Sequence, residues 1–221
     1  MKAIKAVTAA IILAAGTSSR MGEDRFKLLL PLGNRPVLAH VLDAALASQA
    51  RPIILVLGHQ AAEVRAQLAS YADYPDITLL ENPAYLQGMS ASMKLGIQAL
   101  LSNDYKKSTT ETIDSALFLT GDQPLLTSEI IDSIIEAYRR SGKRIVAPLY
   151  VGRRGNPVLF DASLFSELLQ VTGDEGGRGV LKRHLDEVAN VEIENSEASY
   201  DVDTWEAYQR VVEAWDKSGK T

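Results

Sequence analysis

The sequence predicts an α/β fold: a Rossmann-like, mostly parallel β-sheet with helices on both faces and a small antiparallel insertion. Short apolar runs alternate with amphipathic segments along most of the chain, which is the pattern of repeated strand–helix units. Some of these runs, such as 53–57, are apolar throughout, as expected of strands covered on both faces. After Gly142 the rhythm changes to closely spaced strand-like segments joined by turns, and these predict the antiparallel insertion.

The predicted elements follow one another in a regular order. The first strand covers about 7–13 and ends in a glycine-containing loop, after which Pro36 begins a helix to Leu46. Further strands are predicted at 53–57, 77–80 and 116–119, and further helices at 61–70, 90–101 and 127–140. The polar, threonine-rich segment 102–114 is expected to be a surface loop or an extended helix end. Beyond Gly142 we expect strands at 145–148, 158–160 and 191–193 and a closing helix at 205–215.

Length and composition indicate one globular domain that spans residues 1–221. Cysteine is absent, which excludes disulfides, thiolate metal sites and a cysteine nucleophile. The net charge of −5 argues against nucleic-acid binding through a broad basic face, and no apolar run approaches the ~20 residues of a membrane helix. The apolar stretch before Leu13 leads straight into a loop, so we interpret it as a strand rather than a signal peptide. We therefore expect a cytoplasmic protein that binds neither nucleic acid nor a membrane.

The loop after the first strand, LAAGTSSRMG at 13–22, is the first candidate site, because ligands of such sheets bind outside the carboxyl ends of the strands. Its small residues would let backbone N–H groups approach phosphate oxygens: Ala14, Ala15, Gly16 and Ser18. Arg20 and Lys27 would neutralise part of the charge of a triphosphate, and Arg25 is a further candidate. An ordinary strand-to-helix turn is the alternative, since the loop matches neither the Walker nor the dinucleotide-binding pattern.

Asp122 is the second candidate, in the segment TGDQP (120–124) directly after an apolar strand. A carboxylate in this place can hold Mg²⁺, which keeps most of its waters and bridges carboxylate to phosphate oxygens. A simple turn is the alternative, since Gly-Asp and Pro favour turns. Asp201 and Asp203 form a third candidate, because alternate residues of an extended segment place both carboxylates on one side. Capping of the following helix by Asp203 or Thr204 is the alternative there.

Other polar residues give weaker signals. Three arginines would suit an anion, although loop charges are usually only solvated: Arg153, Arg154 and Arg178. Three histidines lack the spacing of a metal site or a catalytic triad and are interpreted as structural: His40, His59 and His184. No Gly-x-Ser-x-Gly segment is present, so a serine hydrolase has no support.

Several short motifs occur in order along nearly the whole chain. They are LAAGxSxRMG (13–22), KLLLP (27–31), NPxYxxGMSxS (82–92), GDQP (121–124), RGNPVLF (154–160), GDxGGR (173–178) and DxDT (201–204). In this combination the chain resembles the MobA-like nucleotidyltransferases and, within them, the molybdenum cofactor cytidylyltransferase (MocA-like) branch. Four features differ from the usual pattern. Asn156 stands where family members often have His, and Gly177 stands where they often have Ala. Trp205 stands where Pro usually follows the last motif, and the interval from Gly22 to Lys27 is longer than in the tightest versions.

The resemblance implies a fold similar to that of the nucleotide-diphospho-sugar transferases and a Mg²⁺-dependent activity. CMP would pass from CTP to the molybdopterin-type molybdenum cofactor with release of pyrophosphate, and a client molybdoenzyme would be a further partner. The opening Ala14-Ala15-Gly16 favours CTP, since the guanylyl-transferring relatives typically carry an additional glycine there.

The same resemblance implies roles for individual residues. The catalytic residues would be Arg20, Lys27 and Asp122. The nucleotide would be bound by Leu13, Ala14, Ala15, Gly16, Ser18, Arg20, Lys27, Gly88, Ser90 and Ser92. The metal would be held by Asp122 together with Asp203, which we favour over Asp201. The acceptor would be bound by Arg154, Asn156, Asp174 and Arg178.

Two other functions stay open at this level. The first is a nucleotidyltransferase with a GTP donor or with a sugar or alcohol phosphate as acceptor, because one scaffold hosts many acceptors. The second is a noncatalytic carrier that hands the finished cofactor to a molybdoenzyme. Retention of Arg20, Lys27 and Asp122 favours an enzyme, since a carrier has no need of a metal carboxylate.

Overall fold

The computed structural model describes residues 6–22, 25–71, 73–102 and 111–219. Ten strands lie in these ranges: β1 (Ala6–Ala14), β2 (Pro31–Leu32), β3 (Arg35–Pro36), β4 (Ile53–Leu57), β5 (Ile77–Glu81), β6 (Thr112–Thr120), β7 (Ile145–Tyr150), β8 (Arg153–Arg154), β9 (Val158–Asp161) and β10 (Val188–Ile193).

Seven α-helices lie in the same ranges: α1 (Val37–Ala47), α2 (Ala61–Gln67), α3 (Met89–Leu101), α4 (Ser128–Ser141), α5 (Phe165–Leu168), α6 (Arg178–Arg183) and α7 (Trp205–Lys217). Short 3₁₀ turns occur at Ser19–Met21, Lys27–Leu29, Ala69–Tyr71, Tyr85–Gln87, Ala162–Leu164, Leu185–Glu187 and Ser196–Ser199. No helix within the described ranges is both long and apolar enough to cross a membrane.

One mixed sheet organises these elements, in the strand order β10–β7–β9–β6–β1–β4–β5 with β8 also paired to β7. At its centre β1 pairs in parallel with β4 and β6, and β4 pairs in parallel with β5. β9 runs antiparallel between β6 and β7, whereas β10 is parallel to β7. β2 and β3 form a separate antiparallel hairpin. The predicted α/β class, with a mostly parallel sheet and a small antiparallel insertion, is confirmed.

The loop predicted before β6 is partly a strand. α3 ends at Leu101, and residues 103–110 lie outside the described part of the chain. Residues 112–114 belong to β6, because the strand continues past a register shift and pairs Thr112 with Ala6. The polar composition indicated a loop, but pairing with the long central strand overrides that local preference.

Both faces of the sheet are covered by helices, and β1 shows the consequence. Its Ile12 faces the apolar cluster that includes residues of α1 and α4, and its Ile11 faces the cluster with Met93 and Ile97 of α3. Both isoleucines are fully buried. Because successive side chains point to opposite faces, a strand between two helical layers is apolar throughout. This two-sided core fixes the strand ends from which the loops leave.

The C-terminal helix α7 packs against these loops rather than against the sheet. Its Val211 and Trp215 share an apolar cluster with Met21 and Leu32. The hydroxyl of Tyr208 donates a hydrogen bond of 2.6 Å to the carbonyl of Pro31. α7 therefore holds the first loop and the β2–β3 hairpin together.

Replacing Gly96 with Ala should destabilise the contact between α3 and β1. A Cβ at this position would lie 2.6 Å from Cγ2 of the buried Ile11. Ala gains ~1 kcal/mol of helix propensity over Gly, but overpacking a tight core costs ~1–3 kcal/mol. Urea unfolding should therefore give a free energy of unfolding lower by about 1 kcal/mol. The control Gln98→Ala, at an exposed position of the same helix, should change the free energy of unfolding by no more than about 0.5 kcal/mol. Equal losses of stability in the two variants would contradict the packing argument.

Candidate active site

Two backbone hydrogen bonds bring the predicted site segments together at the carboxyl edge of the sheet. The N–H of Gly121 donates to the carbonyl of Leu13 (3.0 Å), which joins the ends of β6 and β1. The N–H of Val202 donates to the carbonyl of Asp122 (3.0 Å), which places the segment before α7 beside them. Three distant parts of the chain thus meet at one point.

Lys27 lies at that point, between two carboxylates. Its Nζ is 2.5 Å from Oδ2 of Asp122 and 2.7 Å from Oδ1 of Asp203. Arg20 reaches the other oxygen of Asp203 at 2.8 Å. The side chains of Lys27 and Asp122 are only 15% and 14% exposed, whereas that of Arg20 is 73% exposed. The structure therefore brings together four residues that the sequence had singled out.

The capping alternative for the DxDT segment is resolved in the same region. The hydroxyl of Thr204 accepts a hydrogen bond of 3.2 Å from the N–H of Ala207 and so caps α7. The carboxylate of Asp203 is engaged by Lys27 and Arg20 instead. Thr204 therefore caps α7, and Asp203 belongs to the Lys27 cluster.

The charges of this cluster shift the pKa values of its members in opposite directions. Burial would lower the pKa of Lys27, but the charges and hydrogen bonds of Asp122 and Asp203 outweigh it and raise the pKa above its usual 10.5. Burial would likewise raise the pKa of Asp203, but Lys27 and Arg20 lower it. For Asp201, burial and then repulsion from the two other carboxylates raise the pKa. A protonated Lys27 therefore stabilises a locally negative cluster.

The donor set of this cluster fits a divalent cation. One oxygen each from Asp122 and Asp203 converges on a single cation, the Lys27 ammonium. Carboxylate oxygens are the ligands that Mg²⁺ prefers, and it takes only one or two of them beside waters and phosphate oxygens. Within the described ranges no group of three or more His, Cys, Asp or Glu side chains forms a metal cage. A metal bound here would therefore be held by the two aspartates, with waters and phosphate oxygens as its remaining ligands.

The first loop presents its backbone to solvent beside this cluster. Ser18 adopts a left-handed conformation (φ 58°), and its hydroxyl accepts a hydrogen bond of 3.2 Å from the N–H of Lys27. Gly16 is exposed, with open space where a Cβ would stand. Ala15 is buried against Gly58. A Cβ added at Gly58 would lie only 2.7 Å from the Cβ of Ala15. The loop is thus anchored on one side and open on the other.

A cleft of about 270 Å³ opens next to the loop. It is lined by Thr17, Ser18, Ser19, Gly22, Arg25, Phe26, His59 and Gln60. The ring of His59 lies edge-on to Phe26, with 5.6 Å between ring centroids. From the sequence, His59 was interpreted as structural. It lines the cleft because it follows β4, a strand that ends at the same edge of the sheet as β1.

The segment 88–92 is joined to the loop at 173–174. The N–H of Met89 donates to Oδ1 of Asp174 (3.1 Å), and the hydroxyl of Ser90 donates to the carbonyl of Gly173 (2.7 Å). The hydroxyl of buried Ser92 accepts from Nδ2 of Asn82 (3.0 Å). The Ser90 and Ser92 hydroxyls are thus engaged within the protein. Asn82, which sequence reasoning left without a role, belongs to the NPxY motif.

The residues predicted to bind the acceptor lie further along the same edge. Nε of Arg154 donates to Oδ1 of Asn190 (2.9 Å), and the carbonyl of Asn156 accepts from the hydroxyl of Tyr150 (2.9 Å). Arg178 is the first residue of α6. Among the described residues, no hydrogen bond or ion pair joins Arg154, Asn156, Asp174 or Arg178 to the Lys27 cluster.

Comparison with known proteins identifies the family. Residues 10–188 match the model of the MobA-like NTP transferase domain. The chain belongs to this family. It is 33% identical over 195 residues to the molybdenum cofactor cytidylyltransferase of Escherichia coli (strain K12), a match that covers 88% of this chain and 90% of the relative.

Solved structures support the same assignment. A nucleotidyl transferase from Methanothermobacter thermautotroptrophicus superposes with a TM-score of 0.79 over 96% of this chain and 99% of that one, and at 24% identity it shows the shared fold. The complex of Rv0371C with manganese from Mycobacterium tuberculosis H37Rv has a TM-score of 0.70 and 25% identity, and covers 94% of this chain and 99% of its own. The protein is thus a nucleotidyltransferase of the MobA-like family with the nucleotide-diphospho-sugar transferase fold.

Replacing Lys27 with Met should destabilise the protein at pH 7 more than at pH 4. Without the ammonium, Asp122 and Asp203 face each other with only the exposed Arg20 left to pair with Asp203, which costs about 1–3 kcal/mol for partly buried charges. The lowered pKa of Asp203 gives stability that is present above its usual 3.8 and lost as the pH falls through the folded-state value. In the variant, protonation near pH 4 should instead relieve the repulsion.

Thermal melting of both proteins at the two pH values measures this difference. The exposed Lys143→Met is the control and should lower the melting temperature little at either pH. A loss of equal size at pH 7 and pH 4 in the Lys27 variant would contradict the carboxylates as its cause.

Proposed function

We propose that the protein transfers CMP from CTP to the molybdopterin-type molybdenum cofactor and releases pyrophosphate. The observation that carries the proposal is the Lys27 ammonium held between Asp122 and Asp203 directly beside an open, small-residue loop. The 33% identity to the Escherichia coli cytidylyltransferase along 88% of the chain favours this donor and acceptor within the family. The client would be a molybdoenzyme, and the reaction would take place in the cytoplasm within a single domain.

The donor side of the proposal rests on the first loop. Exposed backbone around Gly16 can approach phosphate oxygens closely, because no side chain intervenes. Leu13, Ala14, Ala15 and Ser18 complete that loop, with Gly88, Ser90 and Ser92 for the nucleoside. The Ala14-Ala15-Gly16 opening supports CTP as the donor.

The acceptor side rests on the loops after β7 and before α6. Arg154 and Arg178 supply positive charge for an acceptor phosphate, and Asn156 and Asp174 supply hydrogen-bonding groups. Asp174 already contacts the backbone of Met89, so the acceptor loop and the nucleoside segment are linked. An acceptor held there would lie next to the bound nucleotide.

The chemistry needs no protein nucleophile. An oxygen of the acceptor's terminal phosphate attacks the α-phosphorus of CTP; the new P–O bond forms as the α–β bridging P–O bond breaks, and pyrophosphate leaves with that electron pair. Arg20, Lys27 and loop amides align the phosphates and offset the charge that develops on them. Asp122 and Asp203 would hold Mg²⁺, which when bound supplies positive charge to the phosphates.

The direct test incubates the protein with Mg²⁺, molybdenum cofactor and one of CTP, GTP, ATP or UTP. Pyrophosphate release with CTP and formation of the cytosine dinucleotide are the expected results. Release with GTP, or with a sugar or alcohol phosphate as acceptor, would replace the proposal by the neighbouring transferase activity. Binding of the cofactor without any turnover would indicate a carrier.

Asp122→Asn should lower the turnover of CTP by about a thousandfold, because a carboxylate that holds the metal supplies several kcal/mol of transition-state stabilisation. The measurement is Mg²⁺-dependent pyrophosphate release, with circular dichroism to confirm folding. Asp186→Asn, a change of the same kind at an exposed residue, should leave turnover unchanged. Wild-type turnover in the Asp122 variant would remove Asp122 from the site.

A further inference from the structure

Arg25 differs from Arg20 and Lys27 in having no carboxylate partner among the residues that the structure describes. Lys27 is engaged by Asp122 and Asp203, and Arg20 by Asp203. Arg25 is exposed and makes no hydrogen bond or ion pair with any residue that the structure describes. Among the described residues, its positive charge is therefore the least neutralised of the three.

Trp205 fixes where that charge lies. The Cζ of Arg25 is 4.2 Å from the centroid of the Trp205 ring, a cation–π contact. Trp205 begins α7 directly after the cap Thr204, and its ring packs at 5.1 Å against Tyr208. Tyr208 in turn is bonded to the carbonyl of Pro31. The guanidinium is stacked on a supported surface, two residues before Lys27.

Stacking leaves the hydrogen-bonding capacity of the guanidinium intact. The contact uses the face of the planar group, whereas its five N–H donors point outward in the plane, in the fork that matches phosphate oxygens. Arg25 also lines the 270 Å³ cleft, together with Thr17, Ser18 and Ser19 of the first loop. Hydroxyl groups, loop amides and the guanidinium of Arg25 thus border the same space.

We propose that Arg25, stacked on Trp205, binds the pyrophosphate end of the nucleoside triphosphate in this cleft. The inference rests on the proposed function only in taking a triphosphate as the substrate. The β- and γ-phosphates carry the most negative charge and become the leaving group, so an arginine held on the cleft wall by Trp205 suits them. Trp205 is a positioning residue that acts through Arg25.

Inorganic pyrophosphate tests the inference without any turnover. Calorimetric titration at constant Mg²⁺ should give about tenfold weaker binding for Arg25→Gln than for wild type, the loss expected for charge-assisted hydrogen bonds. Arg140→Gln removes an exposed arginine from the last turn of α4, away from the cleft, and should bind pyrophosphate as wild type does. An unchanged affinity in the Arg25 variant would overturn the inference.

Two substitutions at Trp205 test the stacking. Trp205→Leu should weaken pyrophosphate binding and raise the inhibition constant of pyrophosphate against CTP, whereas Trp205→Phe keeps an aromatic face and should restore most of the affinity. Melting temperatures separate this effect from a general loss of packing, which would affect binding in proportion to stability in both variants. Equal affinities for the Leu and Phe variants would remove Trp205 from the proposal.

The two levels of proposal fail in different ways. If wild type shows no CTP turnover but loses pyrophosphate affinity on Arg25→Gln, the proposed reaction fails and the anion site stands. If wild type turns over CTP and the Arg25 variant binds pyrophosphate normally, the reaction stands and the anion site fails.

Discussion

The largely buried ammonium group of Lys27 constrains how the loops around it can be arranged. A charge that is 15% exposed is costly unless paired, and its two partners come from positions 95 and 176 residues further along the chain. The two partners and Asp201 repel one another, and the Lys27 ammonium offsets that repulsion where backbone hydrogen bonds bring their segments together. The ion pairs of Lys27 thus tie the first loop to the segments after β6 and before α7.

The strand order of the sheet determines which loops surround the Lys27 cluster. Loops from β1 and β4 form the side that we propose for the phosphates, and the antiparallel insertion through β9 carries the segments proposed for the acceptor, with β6 and Asp122 between them. Helix α7 packs on the first loop from outside the sheet, because its Trp215 shares an apolar cluster with Met21. The strand order therefore places the two proposed substrate sides on either side of β6 and Asp122.

Local sequence predicted what depends on local geometry. The strand ends, the small-residue loop and Asp122 follow from apolar runs and turn residues, and Arg20, Lys27 and Asp203 follow from the family pattern; all four charged residues meet in the structure. The extension of β6, the engagement of Ser90 and Ser92 and the Arg25–Trp205 contact depend on partners far along the chain. No local preference encodes such pairs, although Trp205 was noted as a departure from the family pattern and Arg25 lies in the lengthened interval between Gly22 and Lys27.

The late position of Asp203 also has a consequence for biosynthesis. Lys27 and the phosphate loop leave the ribosome early, whereas the carboxylate that completes their ion-pair cluster follows 176 residues later, together with the helix that clamps the loop. A nascent chain thus displays the phosphate loop for most of its synthesis without a finished centre behind it. The ion-pair cluster is complete only when the segment that carries Asp203 and α7 folds back onto the first loop.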